Sequence, residues 1–252
     1  TRVLTHADFR SVWVGADLTE DLGADELDLA DDEHIEGLRS TMSRPTPWGA
    51  TRTPPSAAEL RKWSEMDVTG GSRSWMVPEP SVTVDDGEEI SLGRRTWLTI
   101  HTPGHTHDHL CLYDPADGLL LSGDHVLPTI TPHIGGIGPM DDPLATFFRS
   151  LEHMKELPGV SNVLPAHGHP FTDVAGRVDA ILGHHEDRLE TIRKAGDDLG
   201  EGTVESYMRR LFKERSWGDM AASETYAHLE HLRILGRASR NEVAGQTIYR
   251  TS

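Results

Sequence analysis

From Val82 to Leu121 apolar and polar residues alternate in short runs separated by turn signals, a pattern that confines this part of the chain to consecutive sheet strands. "VTVDDGEEISLG" contains an Asp-Gly turn, "RRTWLTIHTPG" ends in a Pro-Gly break, and "HLCLYDPADGLLLSGDH" reads as two strands joined by "DPADG". The period changes after Gly138. "DPLATFFRSLEHMKEL" puts Leu144, Phe147, Phe148, Leu151 and Met154 on one helical face, "SNVLPAHGHPF" returns to a strand, and a longer helix is expected from about Val174 to Ala195. Strands followed by covering helices predict a layered α/β or α+β domain.

Upstream of the meander, "TRVLTHADF" reads as a short buried strand, and the acidic stretch Leu18 to Glu36 as a solvated insertion. Pro45 to Pro55 holds four prolines and reads as a loop. "SAAELRKWSEM" offers a helix with Ser56 as N-cap and Glu59 completing a capping box. Downstream, "GDDLGEG" (Gly196 to Gly202) reads as a linker. The rest is helix, helix and two short strands around "NEVAGQ", a small helical unit with a β-wing. Two domains follow from this reading, residues 1–195 and 196–252.

A winged unit can bind DNA, dimerise or cover a substrate. With 41 acidic against 24 basic residues and a net charge of −17, the chain opposes a long polyanion, so nucleic acid is not the expected partner. A small-molecule acyl substrate is easier to accept, and homo-oligomerisation stays open. No apolar run approaches the roughly 20 residues that span a bilayer. The single cysteine, Cys111, lies in the apolar "LCLY" and is expected in the core. It suits a reducing compartment. With no basic and then apolar opening segment, the expected location is cytoplasmic.

The 15 histidines are the unusual feature of the composition. His105 in "HTPGHT", Asp124 in "LLLSGDHV" and His167 in "NVLPAHGHPF" each stand at the end of a predicted strand beside a glycine, where loops present chemistry on a rigid scaffold. Imidazole and carboxylate ligands suit Zn²⁺. Taken singly, each residue is a weak signal, and a structural role fits it better. His101 reads as packing or as support for a ligand, and His107 and His109 as neighbours of His105. His125 and His169 can orient a ligand or line a cleft, and Tyr226, His228 and His231 read as interface or surface.

"TIHTPGHT", "LLLSGDHVLP" and "NVLPAHGH", in that order, resemble the third, fourth and fifth motifs of the metallo-β-lactamase superfamily. "LGHHEDRLETI", "SETYAHLEHLRILGR" and "GQTIYR" extend the likeness to its β-lactamase-like protein 2 group, which has a C-terminal winged-helix-like domain. The resemblance implies an α+β fold, an αββα sandwich carrying two zinc ions. It also implies hydrolysis of a thioester or other small acyl compound by a metal-bound hydroxide. By motif, His105 would bind the first zinc, Asp124 would bridge both and take part in catalysis, and His167 would bind the second. His184 and His185 in "GHHEDR" would lie near the cleft and contact substrate, or form a solvated helix face.

One departure is large. The family's His-x-His-x-Asp-His motif, which supplies four more ligands, is matched nowhere: "THADFR" has one histidine where two are required, and "HTHDH" is one residue short. The expectation is a sandwich lacking its N-terminal portion, with weakened metal binding and one sheet face short of its partner. The competing expectation is a truncated or degenerate relative without catalysis, kept for structure or assembly.

Overall fold

The computed structural model describes residues 4–9, 32–43, 45–51, 54–65 and 81–252. By compactness the chain divides into two units, one within residues 10–81 and one made of residues 4–9 and 82–252.

In the first unit, helix α1 (Asp32–Met42) opens on Asp32 and Glu33 and closes near Arg39, charges that suit the helix dipole at each end. Residues 32–36, expected to be part of a solvated insertion, are therefore helical; 18–31 lie outside the described residues. Helix α2 (Ala57–Glu65) starts as the sequence predicts. Glu59 N–H donates to Ser56 Oγ at 3.2 Å, and Ser56 N–H donates to the Glu59 carboxylate at 2.8 Å, a reciprocal capping box. Ile35, Leu38 and Leu60 are buried, an Arg61–Asp32 ion pair links the helices, and Arg39 donates to Pro55 O at 3.0 Å.

In the second unit, β1 (Leu4–His6) pairs in parallel with β2 (Val82–Val84). The meander follows as β3 (Glu89–Leu92), β4 (Arg95–His101), β5 (Leu110–Asp114) and β6 (Leu119–Gly123), with β3–β4, β4–β5 and β5–β6 paired antiparallel. Helix α3 (Pro143–Lys155) then leads to β7 (Asn162–Pro165), which pairs with β6 in parallel and completes the five-stranded order β3-β4-β5-β6-β7. Asp142 caps α3, accepting from Ala145 N–H at 2.9 Å, and Pro143 occupies the first turn, where a missing N–H costs nothing.

Register sorts the sheet's two faces. Ile100 stands opposite Cys111, Tyr113 opposite Leu120, and Leu120 opposite Val163. This face packs on Leu144, Phe147, Leu151 and Met154 of α3 and on Val174, Val178 and Ile181 of helix α4 (Val174–Leu199). Each fully buried large apolar side chain contributes about 1.5–3 kcal/mol. The opposite face carries Thr99, Leu112, Leu121 and Leu164; Leu112 and Leu121 are half-buried and Leu164 is exposed.

Helix α4 runs on through Gly196 to Leu199 where the composition suggested a linker, and Gly200 N–H closes it on Gly196 O. Its last turns are held from outside: Thr251 Oγ1 donates to Arg193 O at 3.3 Å, and Arg193 Nε donates to Ser252 O at 3.2 Å. The tail continues as β8 (Gly202–Thr203), α5 (Val204–Leu211), a short 3₁₀ turn, α6 (Asp219–Ile234), β9 (Ala238–Val243) and β10 (Gln246–Thr251), with strand order β8-β10-β9. Among the described residues no helix is long and apolar enough to cross a membrane.

Candidate metal centre

Two antiparallel steps relate β4 to β6, so the two run parallel, and β7 runs parallel to β6. The C-terminal ends of all three strands therefore emerge on one sheet edge. This topology places the loops bearing His105, Asp124 and His167 side by side although 62 residues separate the first from the last. Ala166 N–H donates to Gly123 O at 2.9 Å, extending the β6–β7 pairing past the strands, and His167 Nε2 comes to 3.3 Å from Asp124 Oδ1. That oxygen is buried and has no hydrogen-bond partner, whereas His167 is 68% exposed.

His105 is seated by its loop. Gly104 has φ +146°, and a Cβ there would lie 2.5 Å from Phe147 Cβ, so only glycine lets "TPGHT" rest on α3. The ring of His105 donates from Nδ1 to His133 O at 2.8 Å, which leaves Nε2 as the unprotonated nitrogen. The ligand atoms of His105, Asp124 and His167 do not all fall within 4.8 Å of one another. The edge thus gathers an Asp124–His167 pair, with His105 on the neighbouring loop.

His109, read from the sequence as a mere neighbour, braces this edge. Its Nε2 accepts from Asp124 N–H at 3.1 Å, so Nδ1 carries the proton and donates to Thr102 Oγ1 at 2.7 Å. Both nitrogens are spent, and His109 has none left for a metal. Burial, and then the nearness of His105, pull its pKa down to about 4 against a weaker upward influence of Asp124, keeping the ring neutral. His125 is fully buried, edge-on to Phe147, with a pKa lowered to about 3 by burial and then by His109. His169 is exposed.

Two groups of possible ligands do lie within 4.8 Å among the described residues: His6–Asp8–His101 and His185–Glu224–His228. In the first, the His6 and His101 rings stack at 3.7 Å, Asp8 N–H donates to His6 Nδ1 at 3.1 Å, and His101 Nε2 donates to His107 O at 2.8 Å. His107 Nε2 in turn donates to Asp8 O at 2.9 Å. Sequence reasoning tried "THADFR", which holds His6 and Asp8, only as the four-ligand motif and set it aside for its single histidine. The available signal was a histidine closing a predicted strand with an aspartate two residues on.

In the second group every ring nitrogen but one is hydrogen-bonded; the buried Nε2 of His185 has no partner. His228 Nδ1 donates to Glu224 O at 2.7 Å, its Nε2 accepts from His185 Nδ1 at 3.1 Å, and the Arg188 guanidinium pairs with the Glu224 carboxylate. His185 is fully buried here, on the inner face of α4, so the substrate contact implied for it by the resemblance has no open face; its neighbour His184 is exposed. His231, expected at an interface or surface, is buried and donates to Asp142 at 2.9 Å.

The donor set at the sheet edge fits zinc. An imidazole with its Nε2 free, a carboxylate oxygen buried without a hydrogen bond and a second imidazole beside it are the ligand types this ion takes.

Residues 31–187 match the model of the metallo-beta-lactamase superfamily. Among similar curated proteins, a beta-lactamase-like protein 2 homolog of Caenorhabditis elegans is 30% identical over 53% of this chain and 43% of its own length. A hydroxyacylglutathione hydrolase of Idiomarina loihiensis is 33% identical over 54% of this chain and 53% of its own. The chain spans about half the length of these curated relatives. A metallo-beta-lactamase family protein of Thermus thermophilus shares the fold over 100% of this chain and 72% of its own, with a TM-score of 0.66 and 24% identity. With a family match over more than half of its length, the chain belongs to the metallo-beta-lactamase superfamily.

Proposed function

We propose that the chain is a zinc-dependent hydrolase of a thioester or similar small acyl compound. His105, Asp124 and His167 would hold the metal, with Asp124 the ligand shared between two ions. The observation that carries this reading is the buried Asp124 Oδ1, without a hydrogen bond and 3.3 Å from His167 Nε2, on the edge where His105 keeps Nε2 free. Zinc held there would supply an activated water at neutral pH and would polarise the acyl carbonyl. The protein's part is placement: His133 O fixes the His105 tautomer, and His109 pins the backbone of Asp124 to the end of β4. Exposed His184 is the residue of the "GHH" run left to meet substrate. The acyl-glutathione in the Idiomarina relative's name supports a thioester. We assign residues 196–252, the first four of which end α4, to a winged-helix-like module, supported by the strand, helix, helix, strand, strand order that follows α4.

The test is hydrolysis of acylated thiols by the zinc-loaded chain, followed through the released thiol. Turnover that falls at least about 100-fold in Asp124→Ala and His105→Ala supports the reading; turnover unchanged in both removes it. A second reading, a non-catalytic relative, is favoured by one observation: the 252 residues contain no His-x-His-x-Asp-His run. It predicts a well-folded chain that neither retains zinc nor hydrolyses any acylated thiol.

A further inference from the structure

The loop after β6 connects His105 to the tail. Residues 131–138 run from the sheet edge onto α6, where Gly136 N–H donates to Ser223 O at 3.1 Å and to Ser223 Oγ at 3.2 Å. The two backbones are in close contact: a Cβ on Gly136 would stand 2.9 Å from Ala227 N. Three residues earlier, His133 Nδ1 donates to Glu224 Oε2 at 3.4 Å, while the other oxygen of Glu224 is held by Arg188 of α4. Glu224 is itself buried, and Ile134 is fully buried. The ring and the carbonyl of His133 therefore point to different duties: the ring is clamped to α6, and the carbonyl receives the His105 Nδ1–H at 2.8 Å.

We propose that Glu224 is a positioning residue for His105: by clamping the His133 ring between α4 and α6 it fixes the carbonyl that holds His105 with its proton on Nδ1 and its lone pair on Nε2. A histidine's usable nitrogen is set by the hydrogen bond its other nitrogen makes, and outer partners of this kind change metal affinity about 10–100-fold. Neither Glu224 nor Arg188 touches the metal ligands; they act through a loop that other packing leaves in place. The importance of this for metal binding rests on the reading of His105 as a ligand.

Long-range proton–nitrogen correlation spectra of the metal-free, ¹⁵N-labelled chain report the His105 tautomer directly, and titration with zinc against a chromophoric chelator reports affinity. The native chain should show His105 protonated on Nδ1 alone. Glu224→Gln and His133→Ala, which keeps the carbonyl, should both show a mixture of tautomers and about tenfold weaker zinc binding. The double variant should be no weaker than either single one, as expected of residues acting in one chain of contacts. If Glu224→Gln fails to fold, His133→Ala carries the test alone. A His105 ring that stays wholly Nδ1-protonated in the folded variants overturns the proposal, whatever happens to affinity. Unchanged zinc affinity in His105→Ala instead overturns the ligand reading and leaves the tautomer result to stand on its own.

Discussion

The backbone N–H of Asp124 donates to Nε2 of His109 across 3.1 Å, so a residue at the start of β5 holds the carboxylate at the end of β6 in register with the end of β4. Removing this brace should act on both stability and the metal centre. His109→Ala takes the ring partner from the Asp124 amide and leaves the Thr102 hydroxyl only its 3.4 Å contacts with His109 O and Cys111 Sγ, and a polar group left unpaired costs about 1–3 kcal/mol. Urea unfolding of the metal-free chain should show a loss in that range, together with zinc binding weakened by about tenfold.

Gly104→Ala should be worse than its single methyl group suggests. Its Cβ would fall 2.6 Å from Phe147 Cα, a backbone atom that cannot give way, at a φ of +146°. Overpacking typically costs about 1–3 kcal/mol, and here it displaces the loop that carries His105. Thermal unfolding should register the loss, and zinc titration should show weaker binding in the fraction that folds.

In the first unit, Ser56→Ala removes one half of the capping box and should destabilise α2 by about 1 kcal/mol. Amide exchange in residues 57–65 should quicken accordingly, while exchange in the five-stranded sheet stays as it is.

Acid should act on the buried histidine pair of α4 and α6. Burial first, then His228 and Arg188, push the His185 pKa down to about 2, and burial holds His228 well below its usual value of 6.5. Both rings are protonated near pH 6.5 when the chain unfolds and stay neutral when it is folded, so below pH 6.5 the unfolded state binds more protons. Stability must then fall as pH drops through that value, with a slope approaching about 1.4 kcal/mol per pH unit for each ring. Above it the pair contributes no pH dependence. Replacing one ring, as in His185→Leu, should flatten the fall between roughly pH 7 and 5; an unchanged slope would mean that the pair does not control it.

The parts of this molecule legible in its sequence are those governed by local pattern. Alternation predicted the strands of the meander, Ser56 and Glu59 announced their helix, and the strand ends at His105, Asp124 and His167 lie on one edge because β4 and β6 are alternate strands of the meander and β7 joins β6 in parallel. What stayed hidden depends on distance. Gly196 to Leu199 looks like a linker by composition, yet it is helical because the end of β10 holds Arg193 in the preceding turn. The roles of His109 and His133 follow from bonds to Asp124 and Glu224, 15 and 91 residues away, and no spacing rule reaches that far. His185 and His184 are adjacent and look equivalent, but a helix turns neighbouring residues about 100° apart, which puts one in the core and the other in solvent.

Zinc titration of the metal-stripped chain beside Asp124→Ala tests the metal assignment most directly. The native chain should take up zinc, and Asp124→Ala should lose most of that binding while keeping its unfolding transition. Equal zinc retention by the native chain and Asp124→Ala, or zinc lost only when His6 or Asp8 is replaced, would contradict the assignment of the metal to this sheet edge.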